Sequence, residues 1–335
     1  MSKVIIGVHG LGNKPTRPVI EEWWRSAMNE GLKMGKYQAE LPRFEMALWS
    51  DIIHKIPMDP GVEDIENTSY IDEKYTPASL NFVPGDTSTR KKLVDFLGRQ
   101  MNRVFLNEDL SLNYSFITDA IMNRYFSDLE LYYSDKPVYS EGGSATYREL
   151  IRKRLLDKLT EHKEDDIMLI GHSMGSIIAY DVLTFIAPEL KIKNFITIGS
   201  PLGLPVVISK IALEMRNYGI NDTRLKTPPG ITGKWYNLAD ILDTVAFNYR
   251  LADYYSENSH GIKPFDLLVI NDYEFNNVRN PHKSFGYLRT PRFSAILNEF
   301  IQTGKLSVKE RFAGGIKKTI KILGAGSLSG KKKPE

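Results

Sequence analysis

Short apolar runs recur along this chain, separated by longer stretches with helical spacing. The runs lie at 3–9, 44–50, 166–171, 193–199, 234–239 and 266–271, and they predict six strands. Between them, 17–34, 145–162, 175–187, 205–217 and 289–303 carry apolar residues three and four apart and predict helices. Ser200-Pro201 and Thr290-Pro291 punctuate this pattern. Strands alternating with helices imply an α/β fold: a mostly parallel sheet of about six strands with helices on both faces.

One connection breaks the rhythm. About 90 residues separate the second strand from the helix that begins near Ser144, where a crossover loop needs only a few beyond its helix. They hold helical patterns at 89–106 and 113–134 and twelve aromatic residues, among them Tyr70, Tyr75, Phe82, Tyr132 and Tyr133. The expected division is a core at 1–51 and 144–303, a helical cap at 52–143 and a tail at 304–335. A cap over the carboxyl edge of the sheet would lie where open α/β sheets bind ligands. Most of its rings are expected to form its own core, with a few lining the pocket.

With 335 residues, 42% of them apolar and 25% charged, the chain is large enough for one such domain with an insertion. Cysteine is absent, which excludes disulfides, thiol chemistry and thiolate-bound zinc. No apolar run reaches bilayer length. The first strand starts at residue 3 and leaves no room for a signal segment, so a cytoplasmic location is expected. Net charge is +3, but 304–335 holds nine lysines and arginines against two acids, which leaves the body slightly acidic and not a nucleic-acid-binding surface.

The chemistry concentrates at strand ends. Gly171-His172-Ser173-Met174-Gly175 joins the apolar run ending at Ile170 to a helical pattern. A serine in such a turn is held on a strained bend with its hydroxyl exposed at the sheet edge, and small residues two before and two after it let strand and helix approach. The first strand ends in Val8-His9-Gly10-Leu11-Gly12, whose glycines allow an amide hydrogen to face the cavity as an oxyanion donor. Leu11 and Met174 are the candidate donors. The glycines read G-x-x-G-x-G through Gly7, Gly10 and Gly12, which is not the dinucleotide-binding order. No metal-ligand motif stands out, so no cofactor is expected.

These features resemble the α/β-hydrolase superfamily, in particular its lipase- and esterase-like serine hydrolases. The likeness extends over most of 3–303 outside the cap and includes Ile196-Thr197-Ile198-Gly199-Ser200-Pro201-Leu202-Gly203. It implies a triad in the order serine, acid, histidine. For the acid, Asp243-Thr244-Val245-Ala246 matches the relatives' Asp-Pro-Val-Ala except at Thr244, and Asp240 is the alternative. Of six histidines, His9 and His172 lie inside motifs, while His54 and His162 precede the serine. His260 and His282 remain, and only His282 follows the last strand. Its surroundings, Asn280-Pro281-His282-Lys283-Ser284-Phe285-Gly286-Tyr287, resemble the family's histidine loop.

The resemblance implies hydrolysis of a small-molecule or lipid ester through an acyl-enzyme on Ser173, with His282 as base and Asp243 holding it. A thioesterase, amidase or acyltransferase could share the triad, and an idle hydrolase fold used for binding is the alternative from another class. In the tail, Val308, Phe312, Ile316, Ile320 and Leu323 would share one helical face beside Lys317, Lys318 and Lys321, a pattern suited to anionic membrane surfaces. A helix packed on the body or a solvated, disordered tail is the alternative.

Overall fold

The structure, a computed structural model, describes residues 2–79, 82, 87–92, 94, 95, 107, 110, 127–140 and 143–303. Strand β1 (Lys3–Val8) is followed by α1 (Arg17–Met34), β2 (Arg43–Met46) and the single turn α2 (Ser50–Ile53). Within the insertion lies α3 (Ser127–Tyr133), and a hairpin of β3 (Pro137–Ser140) and β4 (Gly143–Thr146) leads out of it to α4 (Tyr147–Glu161), β5 (Asp166–His172) and α5 (Met174–Asp181). Then follow β6 (Ile192–Ile198), α6 (Pro205–Asn217), β7 (Leu225–Lys226), β8 (Ile231–Asp240), β9 (Tyr255–Ser256) and β10 (Pro264–Val269). A two-strand ribbon of β11 (Glu274–Phe275) and β12 (Val278–Arg279), α7 (Ser284–Arg289) and α8 (Pro291–Gln302) complete the described chain.

Six strands form one sheet in the order β2-β1-β5-β6-β8-β10, every neighbouring pair parallel. All six expected strands are in it. Successive residues point to opposite faces of a strand, and the sheet sorts them accordingly. Val4, Ile6, Val8, Ile167, Leu169, Phe195 and Trp235 pack with α4, α5 and α6. Ile5, Met168, Ile170, Ile196, Ile198 and Leu238 pack with α1, α7 and α8. Each fully buried side chain of this size contributes roughly 1.5–3 kcal/mol, and burial on both faces explains why these strands read as continuous apolar runs.

The chain leaves β1 toward β2 on one side and reaches β5 on the other, so the order reverses between β1 and β5. That reversal opens a crevice at their carboxyl ends, where the two glycine-bearing turns lie side by side.

The remaining differences from the expected elements are local. The helix expected from 145 starts at Tyr147, where Thr146 and Glu149 form a reciprocal cap, and the β3–β4 hairpin before it was not expected. The helix expected at 289–303 starts at Pro291, because Pro291 forces Thr290 into an extended conformation and separates α8 from α7. The helix expected at 175–187 ends at Asp181 and passes into a wider turn over Val182–Ile186. Of the helices expected at 89–106 and 113–134, helical backbone is described at 88–92, 94 and 95 and over Ser127–Tyr133. The rest of both, and the tail at 304–335, lie outside the described residues.

Candidate active site

Ser173 sits between β5 and α5 at φ 51° and ψ −127°, a region that costs a non-glycine residue roughly 1–3 kcal/mol. The surrounding chain holds it there. Its own N–H donates to the Ile198 carbonyl at 3.1 Å, while its carbonyl accepts from the Ser176 N–H at 2.9 Å and hydroxyl at 2.6 Å. Both flanking glycines are sterically required. A Cβ on Gly171 would stand 2.6 Å from the Ser176 Cα, and one on Gly175 only 2.2 Å from the Val8 carbonyl oxygen. Across the crevice, a Cβ on Gly10 would meet that of Ser173 at 2.8 Å, so glycine there lets the loop after β1 touch the serine.

His282 faces the same crevice. Its Nδ1 lies 3.0 and 2.8 Å from the two oxygens of Asp243, whose side chain is fully buried. With Nδ1–H given to that carboxylate, Nε2 keeps its lone pair for a substrate proton. Asp243 is fixed by further donors: the N–H groups of Val245 at 2.9 Å and Ala246 at 3.3 Å, and the Tyr287 hydroxyl at 2.7 Å. Burial and the adjacent Asp243 push the Tyr287 hydroxyl far up, so it stays a donor. Thr244, in the place of the relatives' proline, leaves this cradle intact. The Ser173 hydroxyl makes no hydrogen bond to His282 in this state, a contact that often tightens only when substrate arrives.

Asp240 is placed differently. It accepts from Leu242 N–H at 2.7 Å, Asn271 N–H at 2.6 Å and Arg279 at 3.0 Å, and it does not touch His282. Its part is to hold the histidine loop: Asn271 donates from its amide to the carbonyls of Pro281 and Lys283, both at 2.8 Å. His172 donates to the His282 carbonyl at 2.7 Å and tilts against its ring with centroids 4.9 Å apart. Burial, reinforced by His282, holds His172 well below the ordinary imidazole range and therefore neutral. His260 is exposed in a distant loop, His162 pairs with Glu45 and Asp165, and His54 lies against Asp128.

On the other side of the serine lie the two candidate oxyanion donors. Neither the Leu11 nor the Met174 N–H has a partner among the described residues. His9 stacks on Trp49, centroids 4.7 Å apart, and its Nδ1 lies 2.8 Å from the Gly10 carbonyl oxygen. Gly12 N–H donates to Asp128 at 2.7 Å, and Lys14 Nζ donates to the carbonyls of Leu11, Gly12 and Asn13. Burial and the Lys283 ammonium lower the Lys14 pKa to about 7.

A cavity of about 910 Å³ joins these groups, lined by His9 to Pro15, His172, Ser173 and His282 and walled by Ile20, Trp23, Met58, Ile71 and Phe285. Its aromatic side chains are Trp23 and Trp24 of α1, Phe285 of α7 and Phe247 from the loop after β8. Of the cap rings, none of the described ones lines the cavity. Tyr75 packs on Phe285, and the Tyr132 hydroxyl is buried on Asp181 at 2.6 Å, anchoring the insertion. Those at 96, 105, 114, 116, 125 and 126 lie outside the described residues.

The residues not foreseen from sequence are Lys14, Asp128, Asn271 and Tyr287. Tyr287 stands in the quoted histidine loop, but nothing in the spacing marks its hydroxyl as a partner of Asp243.

Residues 78–226 match the family of the PGAP1-like alpha/beta domain. The match covers less than half of the chain, includes the Ser173 turn and stops before Asp243 and His282. That family is of the α/β-hydrolase type, and the six-stranded parallel sheet with helices on both faces is consistent with that fold. No curated protein matches the chain.

Proposed function

We propose that the protein is a serine hydrolase of carboxylic esters, with Ser173 as nucleophile, His282 as general base and Asp243 as its orienting carboxylate. The observation that carries this reading is the buried Asp243–His282 pair, with bonds of 2.8 and 3.0 Å, in the same cavity as a serine on a positive-φ turn. Attack by the Ser173 oxygen on the acyl carbonyl passes its proton to His282 Nε2. The oxyanion forms between the Leu11 and Met174 amides. His282 then returns the proton to the leaving alcohol, and water repeats the sequence to release the acid.

The apolar wall of Ile20, Trp23, Met58, Ile71 and Phe285 favours acyl chains longer than acetyl. The test is hydrolysis of p-nitrophenyl esters from acetyl to decanoyl by the wild type and Ser173→Ala. The expected result is a maximum at medium chains and loss of turnover in the variant. Turnover that survives in Ser173→Ala would overturn the nucleophile assignment, and an acetyl-biased profile would overturn the acyl-chain assignment. Thioester and amide substrates in the same series separate the related chemistries.

The cap at 52–143 remains part of this proposal, as a cover that brings Met58 and Ile71 to the cavity. We also propose a peripheral role for 304–335 at anionic membranes, where each basic side chain adds roughly 1 kcal/mol, on an otherwise cytoplasmic enzyme. No helix among the described residues is long and apolar enough to cross a membrane. Vesicle co-sedimentation of the full chain and one ending at Thr303 tests this: equal sedimentation on anionic lipid removes the role.

A further inference from the structure

The loop after β1 must present one amide hydrogen to the reaction and keep its neighbours out of the way. In a trans peptide the carbonyl and the following N–H point to opposite sides, so the partners of each peptide fix its orientation. The Gly10 carbonyl is taken by His9, which turns the Leu11 N–H away from that imidazole. The next peptide is held at both ends: its carbonyl, on Leu11, accepts from the Lys14 ammonium, and its N–H, on Gly12, donates to the Asp128 carboxylate at 2.7 Å.

The Lys14 ammonium also donates to the carbonyls of Gly12 at 2.9 Å and Asn13 at 3.1 Å, so its three hydrogens meet three successive carbonyls. Asp128 is itself buried and fixed. It belongs to α3, whose Tyr132 bonds both Asp181 at 2.6 Å and Arg152 at 2.9 Å in the core. We infer that Lys14 and Asp128 are positioning residues that grip the Leu11–Gly12 peptide from opposite ends and thereby keep the Leu11 N–H free and aimed for the oxyanion. The inference rests on the hydrolase reading above. It makes the oxyanion loop answer to a residue of the insertion, and it makes the ammonium part of the site's pH dependence.

The charged groups around Lys14 set that dependence. Lys283 opposes its proton, Asp128 and Asp72 favour it, and the nearby His9 is itself held neutral by burial and by Lys14. With its pKa lowered to about 7, Lys14 carries its charge below that pH and loses it above. The grip therefore weakens as pH rises.

The experiment follows kcat and KM for a p-nitrophenyl ester over about pH 5–10 in the wild type, Lys14→Met, Lys14→Arg and Asp128→Asn. Lys14→Met should lower kcat roughly 10–100-fold with little change in KM, less than the loss from deleting an oxyanion donor. Lys14→Arg, charged at every pH tested, should lose the alkaline fall in kcat. Asp128→Asn keeps an acceptor for the Gly12 N–H but removes the charge, and it should move that fall to lower pH. An alkaline limb identical in all four proteins, or a Lys14→Met defect confined to KM, would overturn the inference.

Hydrogen exchange at residues 10–14 reads the same grip without substrate. Exchange of the Gly12 amide should be at least roughly ten-fold faster in Lys14→Met, and an unchanged rate overturns the grip. Faster Gly12 exchange in Lys14→Met than in a wild type that hydrolyses no ester would support the grip and overturn the hydrolase reading alone.

Discussion

The two turns that meet at the crevice between β1 and β5 are held by different forces. The turn at Ser173 is pinned by its own backbone: added Cβ atoms at Gly171 and Gly175 would strike Ser176 and Val8 within 2.6 Å, and the main-chain groups of Ser173 are spent on Ile198 and Ser176. The loop after β1 is pinned by side chains: Lys14 on its carbonyls, Asp128 on an amide, and His9 stacked on Trp49. The first turn can change only by breaking the fold. The second can change when a charge changes, so it is the half of the site that pH and the insertion can reach.

The largest effect expected at the steric turn is chemical. Ser173→Ala should lower kcat by roughly 10⁴-fold or more while leaving the unfolding midpoint in place. His282→Ala and Asp243→Asn should each cost nearly as much, and the double variant should add little, if the three residues act as one unit as proposed. Asp240→Asn sharpens the contrast. It should spare most turnover yet lower stability by about 1–3 kcal/mol, because Arg279 and the Asn271 N–H lose a charged acceptor. Steady-state kinetics and denaturant melts of the set decide it, and a dead but stable Asp240→Asn would mean the acid is misassigned.

Gly175→Ala tests the steric pin directly. With a backbone oxygen 2.2 Å from the new Cβ, the turn must move against packed strands, and a loss above about 3 kcal/mol in chemical denaturation is expected. A variant that folds with wild-type stability would place this turn in the adjustable class. Tyr287→Phe is smaller. Removing the hydroxyl that donates to Asp243 and accepts the Asp240 N–H should cut kcat about ten-fold and stability by about 1–2 kcal/mol.

Acid titration gives the gentlest distinction. His9 and His172 are both held below the ordinary imidazole range, chiefly by burial. The folded protein therefore binds fewer protons there than the unfolded chain, and stability rises with pH. It should be fully present above the unfolded value near 6.5 and fall by about 1.4 kcal/mol per pH unit for each histidine below it. Melts in His172→Gln should show a shallower slope, and an unchanged slope would remove His172 from the effect.

The same division explains what could be read from sequence. The Ser173 turn and the six strands are legible because local sterics and burial on both faces of the sheet write themselves into neighbouring residues, whereas Asp243 and His282 are marked by the resemblance of their loops to the hydrolase superfamily. Lys14 looked like any surface lysine, since its role depends on carbonyls that only the folded loop gathers. Asp128 was equally hidden, because 116 positions separate it from the Gly12 amide it holds. Asp240 and Asp243 stayed alternatives until the histidine loop was folded against one of them. The rings that line the described cavity, Trp23 and Trp24, Phe247 and Phe285, stand in three separate segments that only the fold brings together.

Covalent labelling is the most direct test of Ser173 as an activated nucleophile. The wild type, Ser173→Ala and His282→Ala are treated with a fluorophosphonate, and the adduct is located by peptide mass spectrometry. The prediction is one adduct on Ser173 in the wild type, none in Ser173→Ala and strongly slowed labelling in His282→Ala. A wild type that takes no label at Ser173, or a Ser173→Ala protein that labels as fast, would contradict it.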